Sequence, residues 1–524
     1  MSKERTIGQF CASILPRLRR SKKLPDWPPD LFALCLGLLK CTGAYSTIFQ
    51  DWPPKGHSLN AWSSGAARLG RQWRSQYRPR QPFQGIESEW QLICSSFDQP
   101  LSSLPKNRPL CLAVIKLLAT ADEASEGVGM PEDEAGDDLF LQAGRKVLQD
   151  SATLGMEIDH NRLRVLPCTH TPQNGLTHRS LSLFLSACDG GEVRSRWLTS
   201  QFLEHDSLSL LLIPWPPEVL IRDFQDVTAE ATSKLPEHFG FFAYSVPDED
   251  GGLVGHVESL YEEAARKMGR IDGVVLPELA VNREQFKKLR SVLPPSSFLI
   301  AGVGQNATAG QRGTNEVRLS FPPLQEVVQK KQHPWKLTDS QIIQYGLGGT
   351  LSPEREWWEY TDLSARTLEF LSVSEDLVIC ALVCEDLARP DPVADIVRAV
   401  GPNLVIALLM DGPQTKERWA ARYATVLADD PGCSVLSLTS LGMARLSRPA
   451  AGLSRPRVVA LWKDPINGAS EIELPANCDA VAISLSFCHR AEFTADGRGD
   501  DINASTPILA GVHPIEDPRG RRKS

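Results

Sequence analysis

The apolar positions of the chain fall into two textures. Up to about residue 200 they recur mainly at helical spacing. Pro28-Pro29-Asp30 supplies a helix start before LFALCLGLLK, and RLGRQWRSQYR puts Arg68, Arg71, Arg74 and Arg78 at helical intervals, with Trp73 and Tyr77 four apart. From about residue 205 the texture changes to short apolar runs separated by helical or loop segments. These runs are Leu208 to Ile213, Val274 to Leu276, Phe298 to Val303, Leu377 to Val383, Leu404 to Met410 and Val435 to Thr439. Such alternation predicts strands and helices in an α/β fold. Several runs are continuous rather than alternating, so their strands are expected to be covered on both faces. Sheets of this kind place their chemistry where strands end.

Composition refines this division. A length of 524 residues predicts two or three units, and 42% hydrophobic with 23% charged residues is ordinary for a soluble globular chain. The net charge of −8 argues against a protein that coats nucleic acid throughout, yet charge is uneven. Residues 1–80 carry fourteen Lys or Arg against four Asp or Glu. The arginine stripe reads either as a patch for phosphate or an acidic partner, or as a solvated helix face. Residues 121–138 hold eight acids, no base and three glycines, which predicts an exposed loop. The twelve cysteines include no C-x-x-C pair, favouring a reduced chain over a disulfide framework or a zinc site. The N-terminal apolar stretch is too short and interrupted for a signal peptide, and no run approaches the roughly 20 apolar residues of a membrane helix. A cytoplasmic location is the expectation.

Three strand ends carry candidate chemistry. In GVVLPELAV the apolar run is expected to stop at Pro277, followed by Glu278; alone, such a glutamate is usually a solvated loop residue. NEVRLSFPPLQEVVQKKQHPW reads as two extended pieces about Pro322-Pro323, with Lys330 and Lys331 late in the second. Adjacent strand side chains point to opposite faces, so only one of these lysines enters a given pocket. LVICALVCEDLARP delivers Cys384 at the end of an apolar strand, directly before Glu385 and Asp386. Cys380, in mid-strand, reads as a core thiol, whereas a nucleophile needs the polar rim that Cys384 has.

A glutamate, a lysine and a cysteine at successive strand ends, in LPEL, KKQHPW and VCEDL, resemble the Glu-Lys-Cys triad of the nitrilase, or carbon-nitrogen hydrolase, superfamily. The K-x-H match at Lys331-Gln332-His333 favours Lys331 over Lys330. SLLLIPWP, IAGVGQ, NLVIALLMDGP and RWAARYATVLADDPGCSVLSLTSLGM resemble further family segments. The resemblance implies a four-layer αββα sandwich over residues 205–490, preceded by a mainly helical region, 1–200, and followed by a tail, 491–524. Two departures stand out. C-E-D-L replaces the aromatic-Pro-Glu run often found after the nucleophile, shading the substrate toward amides. The family's second glutamate has no clear match, with Asp339, Glu356 and Glu359 as candidates.

The resemblance further implies an amidase-type hydrolase of a small amide, glutamine-like or ureido group. In it Cys384 is the nucleophile that forms a thioester, Glu278 the proton shuttle, and Lys331 the oxyanion partner that also favours the thiolate. The Glu385 backbone N–H would assist at the oxyanion and His333 would line the pocket. No metal or organic cofactor is called for, and a homodimer is expected. The alternative is a nitrilase-fold ligand-sensing or regulatory module in a larger assembly, such as bacterial antiviral defence, with the arginine stripe touching nucleic acid.

Overall fold

The computed structural model describes residues 4–519 apart from 132–137, 171–175, 201–206, 232–235, 248–251, 309, 323, 325, 365, 448–455 and 500–502. The continuous apolar runs become inner strands of two seven-stranded sheets. The first sheet is ordered Val327–Lys330, Thr314–Ser320, Phe298–Gln305, Gly273–Val281, Ser207–Leu212, Ala480–Ala491 and Asn503–Ile515. The second is ordered Gly468–Glu473, Val458–Asp464, Ser434–Thr439, Leu404–Leu409, Leu377–Val383, Thr367–Ser374 and Arg194–Thr199.

The sheets pack face to face, and in the first sheet the period-2 alternation of inner strands divides their side chains between two cores. Leu208, Leu210 and Leu212 enter the large core shared with the second sheet, while Leu211 and Ile213 meet the helices Leu253–Met268 and Arg283–Val292. On the far side of the second sheet lies the helix Trp419–Asp429, while Asp395–Val400 packs on the strands Leu163–Pro167 and Leu185–Asp189. The layers are therefore helix, sheet, sheet, helix. Each fully buried Leu or Val contributes about 1.5–3 kcal/mol, so two-sided coverage is what a run such as LVICALV rewards. Among the described residues no helix is long and apolar enough to cross a membrane.

Strands from outside 205–490 complete both sheets. Arg194–Thr199 pairs in parallel with Thr367–Ser374, and Asn503–Ile515 pairs antiparallel with Ala480–Ala491. Both are edge strands with weak apolar patterns; Pro507 and Pro514 suit an edge, where a missing N–H costs no ladder bond. The glutamate-bearing strand also differs from expectation. It does not stop at Pro277 but runs on to Val281, its ladder with Phe298–Gln305 interrupted between Leu276 and Val281.

The N-terminal region is mainly helical, with Ile7–Ile14, Pro28–Thr42, Leu59–Gln76, Glu87–Ser95, Arg108–Glu123 and Leu139–Asp150 followed by the paired strands Leu163–Pro167 and Leu185–Asp189. Its apolar side chains join the same core as the second sheet. Asp122 and Glu123, placed by sequence in an exposed acidic loop, instead end a buried helix, while residues 132–137 of that segment lie outside the described residues. The reason is Arg498. Its buried guanidinium meets Asp122 at 3.0 Å, Glu123 at 2.8 Å and Asp496 at 2.8 Å.

One guanidinium thus faces three carboxylates. Asp122 also accepts the backbone N–H groups of Leu183, Phe184 and Leu185, and Asp496 accepts the Trp62 indole N–H. Among the described residues the Glu123 carboxylate meets Arg498 alone, and burial pushes its carboxyl from an ordinary 4.5 up to about 7. A carboxyl raised on folding stabilises fully below its unfolded value and loses that contribution as pH rises through the folded one. Wild-type unfolding free energy is therefore expected to fall between about pH 5 and about pH 8 more steeply than that of Glu123→Gln in urea titrations. Parallel curves would contradict the surplus charge. Arg498→Met, which strands buried carboxylates, is expected to cost about 3–5 kcal/mol in the same assay.

Candidate functional site

Glu278 and Lys331 come from the first sheet and Cys384 from the second. The bulge that carries Glu278 depends on glycine at position 302. A Cβ there would sit 2.3 Å from the Pro277 carbonyl oxygen and 2.4 Å from the Glu278 Cα, contacts no side chain sustains. The next residue, Leu279, adopts φ 52°. Cys384 itself adopts φ 47°, at the junction between the strand Leu377–Val383 and the short helical turn Cys384–Leu387. A left-handed conformation costs a non-glycine residue about 1–3 kcal/mol; at Leu279 it falls in the interrupted stretch of Gly273–Val281, and at Cys384 it turns the backbone off the end of Leu377–Val383.

Lys331 is fully buried, one residue past its strand, and donates to Glu278 Oε1 at 2.8 Å and to Glu359 Oε2 at 2.6 Å. Asn315 Nδ2 bridges the same two carboxylates, at 2.7 Å to Glu278 Oε1 and 2.7 Å to Glu359 Oε1. Its carbonyl oxygen accepts the Lys331 backbone N–H at 2.9 Å. Glu278 Oε2 is buried and has no hydrogen-bond partner among the described residues. Of the three candidates for a second glutamate, only Glu359 reaches this network. Glu356 pairs with Lys336 at 2.6 Å, and Asp339 begins the helix Asp339–Tyr345. Lys330 points the other way, to Asp362 and Ser364.

Burial raises the Glu278 carboxyl; Lys331 pulls it down and Glu359 pushes it up, leaving it above the ordinary carboxylate value. Burial lowers the Lys331 ammonium, but Glu278, Glu359 and Cys384 outweigh it and hold it well above its ordinary value. For the Cys384 thiol, burial and the charge of Glu278 push upward and Lys331 pulls down. The lysine effect has the direction read from sequence, but burial exceeds it and the net shift is well upward. An upward shift favours the protonated thiol over the thiolate.

Asp386, read from sequence only as part of the polar rim after Cys384, ties the lysine turn to the cysteine turn. Its carboxylate accepts the Gln332 N–H at 3.0 Å, the His333 N–H at 2.9 Å and a ring contact from His333 Nδ1 at 3.0 Å. His333 Nε2 meets the Asp391 carbonyl at 2.9 Å, so both ring nitrogens are engaged in holding these turns together. Glu385 turns its carboxylate to Arg389 at 2.8 Å. Asn315 was missed; its signal was an amide inside the otherwise strand-like run TNEVRLS.

The arginine stripe divides. Arg74 meets Glu126 at 3.5 Å and Asp138 at 3.3 Å, Arg68 donates to Gln72 and Arg78 to the Tyr77 carbonyl, and Arg71 is exposed. Trp73 and Tyr77 belong to the core. Among the described residues no group of three or more His, Cys, Asp or Glu is arranged to hold a metal ion.

The fold is a helix-sheet-sheet-helix, αββα, sandwich. No family model and no curated protein matches the sequence. Several solved structures are similar to it. Nit3 from Saccharomyces cerevisiae, described as a member of branch 10 of the nitrilase superfamily, is 12% identical over 62% of this chain and 95% of its own, with a TM-score of 0.31. A carbon-nitrogen hydrolase from Helicobacter pylori G27 is 13% identical over 61% and 92%, with a TM-score of 0.29. A CN-hydrolase superfamily protein from Xanthomonas campestris, solved with an arsenic adduct in its active site, is 16% identical over 54% and 91%, with a TM-score of 0.31.

The Asp386 contacts generate a direct test. Asp386→Ala leaves the Gln332 and His333 backbone donors without their buried acceptor, and is expected to lower the unfolding free energy by about 1–3 kcal/mol in chemical denaturation. A variant as stable as wild type would show that the two turns are not held through this carboxylate.

Proposed function

We propose that the protein is a cysteine-dependent hydrolase of a non-peptide carbon-nitrogen bond, acting on a small amide, glutamine-like or ureido group through a thioester. The observation that carries this reading is the state of Glu278. One carboxylate oxygen is fixed by Lys331 and Asn315, while the other is buried, unpartnered and within the electrostatic reach of the Cys384 thiol. A base held by one oxygen and free at the other is suited to shuttle a proton without moving.

In the proposed cycle the Cys384 sulfur attacks the amide carbon and its proton passes to Glu278 Oε2. The carbonyl oxygen becomes an oxyanion beside the Lys331 ammonium and the Glu385 backbone N–H. As the C–N bond breaks, Glu278 returns the proton to the leaving ammonia or amine, and a thioester remains. Water then loses a proton to Glu278 and adds to the thioester carbon; sulfur leaves, takes back that proton, and the acid product departs. Glu359 acts at one remove. With Asn315 it fixes the ammonium, and its second negative charge keeps Lys331 protonated throughout. Near-complete burial of all three groups favours a small substrate over a polypeptide.

A panel of small primary amides and ureido compounds, read by ammonia release, tests this reading. Cys384→Ala is expected to be inactive, and Lys331→Ala to lose about 10²- to 10³-fold in rate. Hydroxylamine is expected to divert the wild-type thioester to a hydroxamate. Because Glu278 has to be ionised to act as base and its carboxyl is raised, activity is expected to fall with acid from above the ordinary carboxylate range. Equal release from wild type and Cys384→Ala would overturn the assignment. Turnover of no panel member, with saturable binding of one, would favour the ligand-sensing alternative.

A further inference from the structure

Away from the triad, an uncompensated group of cations lies where the N-terminal strand pair meets the edge of the second sheet. Arg164, on Leu163–Pro167, is only 8% exposed. Its guanidinium donates to the backbone carbonyls of Gly191 and Val193, and it makes no ion pair with any described carboxylate. Arg194, which opens the edge strand, also makes none, and its charge acts repulsively on Arg164. Two residues further, Arg196 reaches Glu369 at 3.2 Å yet leaves 54% of its side chain exposed.

A desolvated guanidinium without an anion is unfavourable, and a second unpaired guanidinium nearby adds to that cost. All three arginines line one cavity of about 580 Å³, together with His160 and Ser195. That volume suits a small-molecule ligand. The Ser195 hydroxyl, on the buried face of the strand between Arg194 and Arg196, has no hydrogen-bond partner among the described residues. Asp150, exposed, is the one carboxylate on the cavity wall among the described residues. Among the described residues no Phe, Tyr or Trp lines the wall, and His160 is its one aromatic ring. What it offers is guanidinium charge from two different elements, Arg164 held in place by its two carbonyl contacts and Arg194 without an ion pair to a described carboxylate, the complement of a phosphate dianion.

We propose that this cavity is a binding site for a small phosphate-bearing molecule, held by Arg164 and Arg194 and aided by Arg196. Recognition is of the phosphate group. The site is separate from the Cys384 triad, and it does not depend on the reaction assigned there.

Isothermal titration of the full-length protein with inorganic pyrophosphate, inorganic phosphate and citrate tests it. Wild type is expected to bind pyrophosphate saturably at one site, with affinity falling as salt rises. Arg194→Ala, at an exposed position, is expected to weaken binding at least about tenfold. Arg164→Lys keeps the charge but loses the fork, and is expected to weaken binding too. Arg71→Ala, on the exposed stripe of another helix, is expected to bind like wild type. Absence of pyrophosphate binding, or equal affinity in wild type and Arg194→Ala, would overturn the proposal. Citrate bound as tightly as pyrophosphate would overturn the phosphate specificity.

Discussion

The Lys331 ammonium, sealed between two carboxylates, is the interaction on which the site depends. A cation in this environment persists because Glu278 and Glu359 sit at 2.8 and 2.6 Å and Asn315 ties both carboxylates together. Replacing water by fixed partners makes each of these contacts strong, and it makes the loss of any one of them costly. The same arrangement fixes one oxygen of Glu278 and leaves the other open. The strained turns at Leu279 and Cys384, and the glycine at 302, follow from the need to hold such a network between two sheets.

The N-terminal region is not a separate attachment in this fold. It shares its core with the second sheet, supplies that sheet's edge strand, and buries Asp122 and Glu123 against Arg498 from the segment between the last two strands. Removing three carboxylates and a guanidinium from water is justified only by mutual satisfaction, which gives this contact a geometry rather than a mere apolar fit. The cationic cavity at Arg164 and Arg194 arises along the same seam, where two parts of the chain meet with positive charge left over.

The sequence by itself determined the elements and their chemistry. Continuous apolar runs can be stable only as strands covered on both faces, and that is how Leu377–Val383 and Leu404–Leu409 are placed. Cys384 directly after its strand was legible because a polar rim follows an apolar run there, whereas Glu278 was legible as a candidate but lies within Gly273–Val281, where the ladder is interrupted, rather than at a strand end. Only the tertiary structure decided among neighbours. Lys331 rather than Lys330, and Glu359 rather than Asp339 or Glu356, depended on which side of a strand faces a second sheet whose residues lie far along the chain. The burial of Asp122 and Glu123 was illegible for the same reason, since an acidic glycine-containing stretch reads as exposed until Arg498, some 375 residues away, supplies the opposing charge. Local pattern fixes what a residue prefers; pairing across the fold determines which charge it meets, and therefore its protonation state.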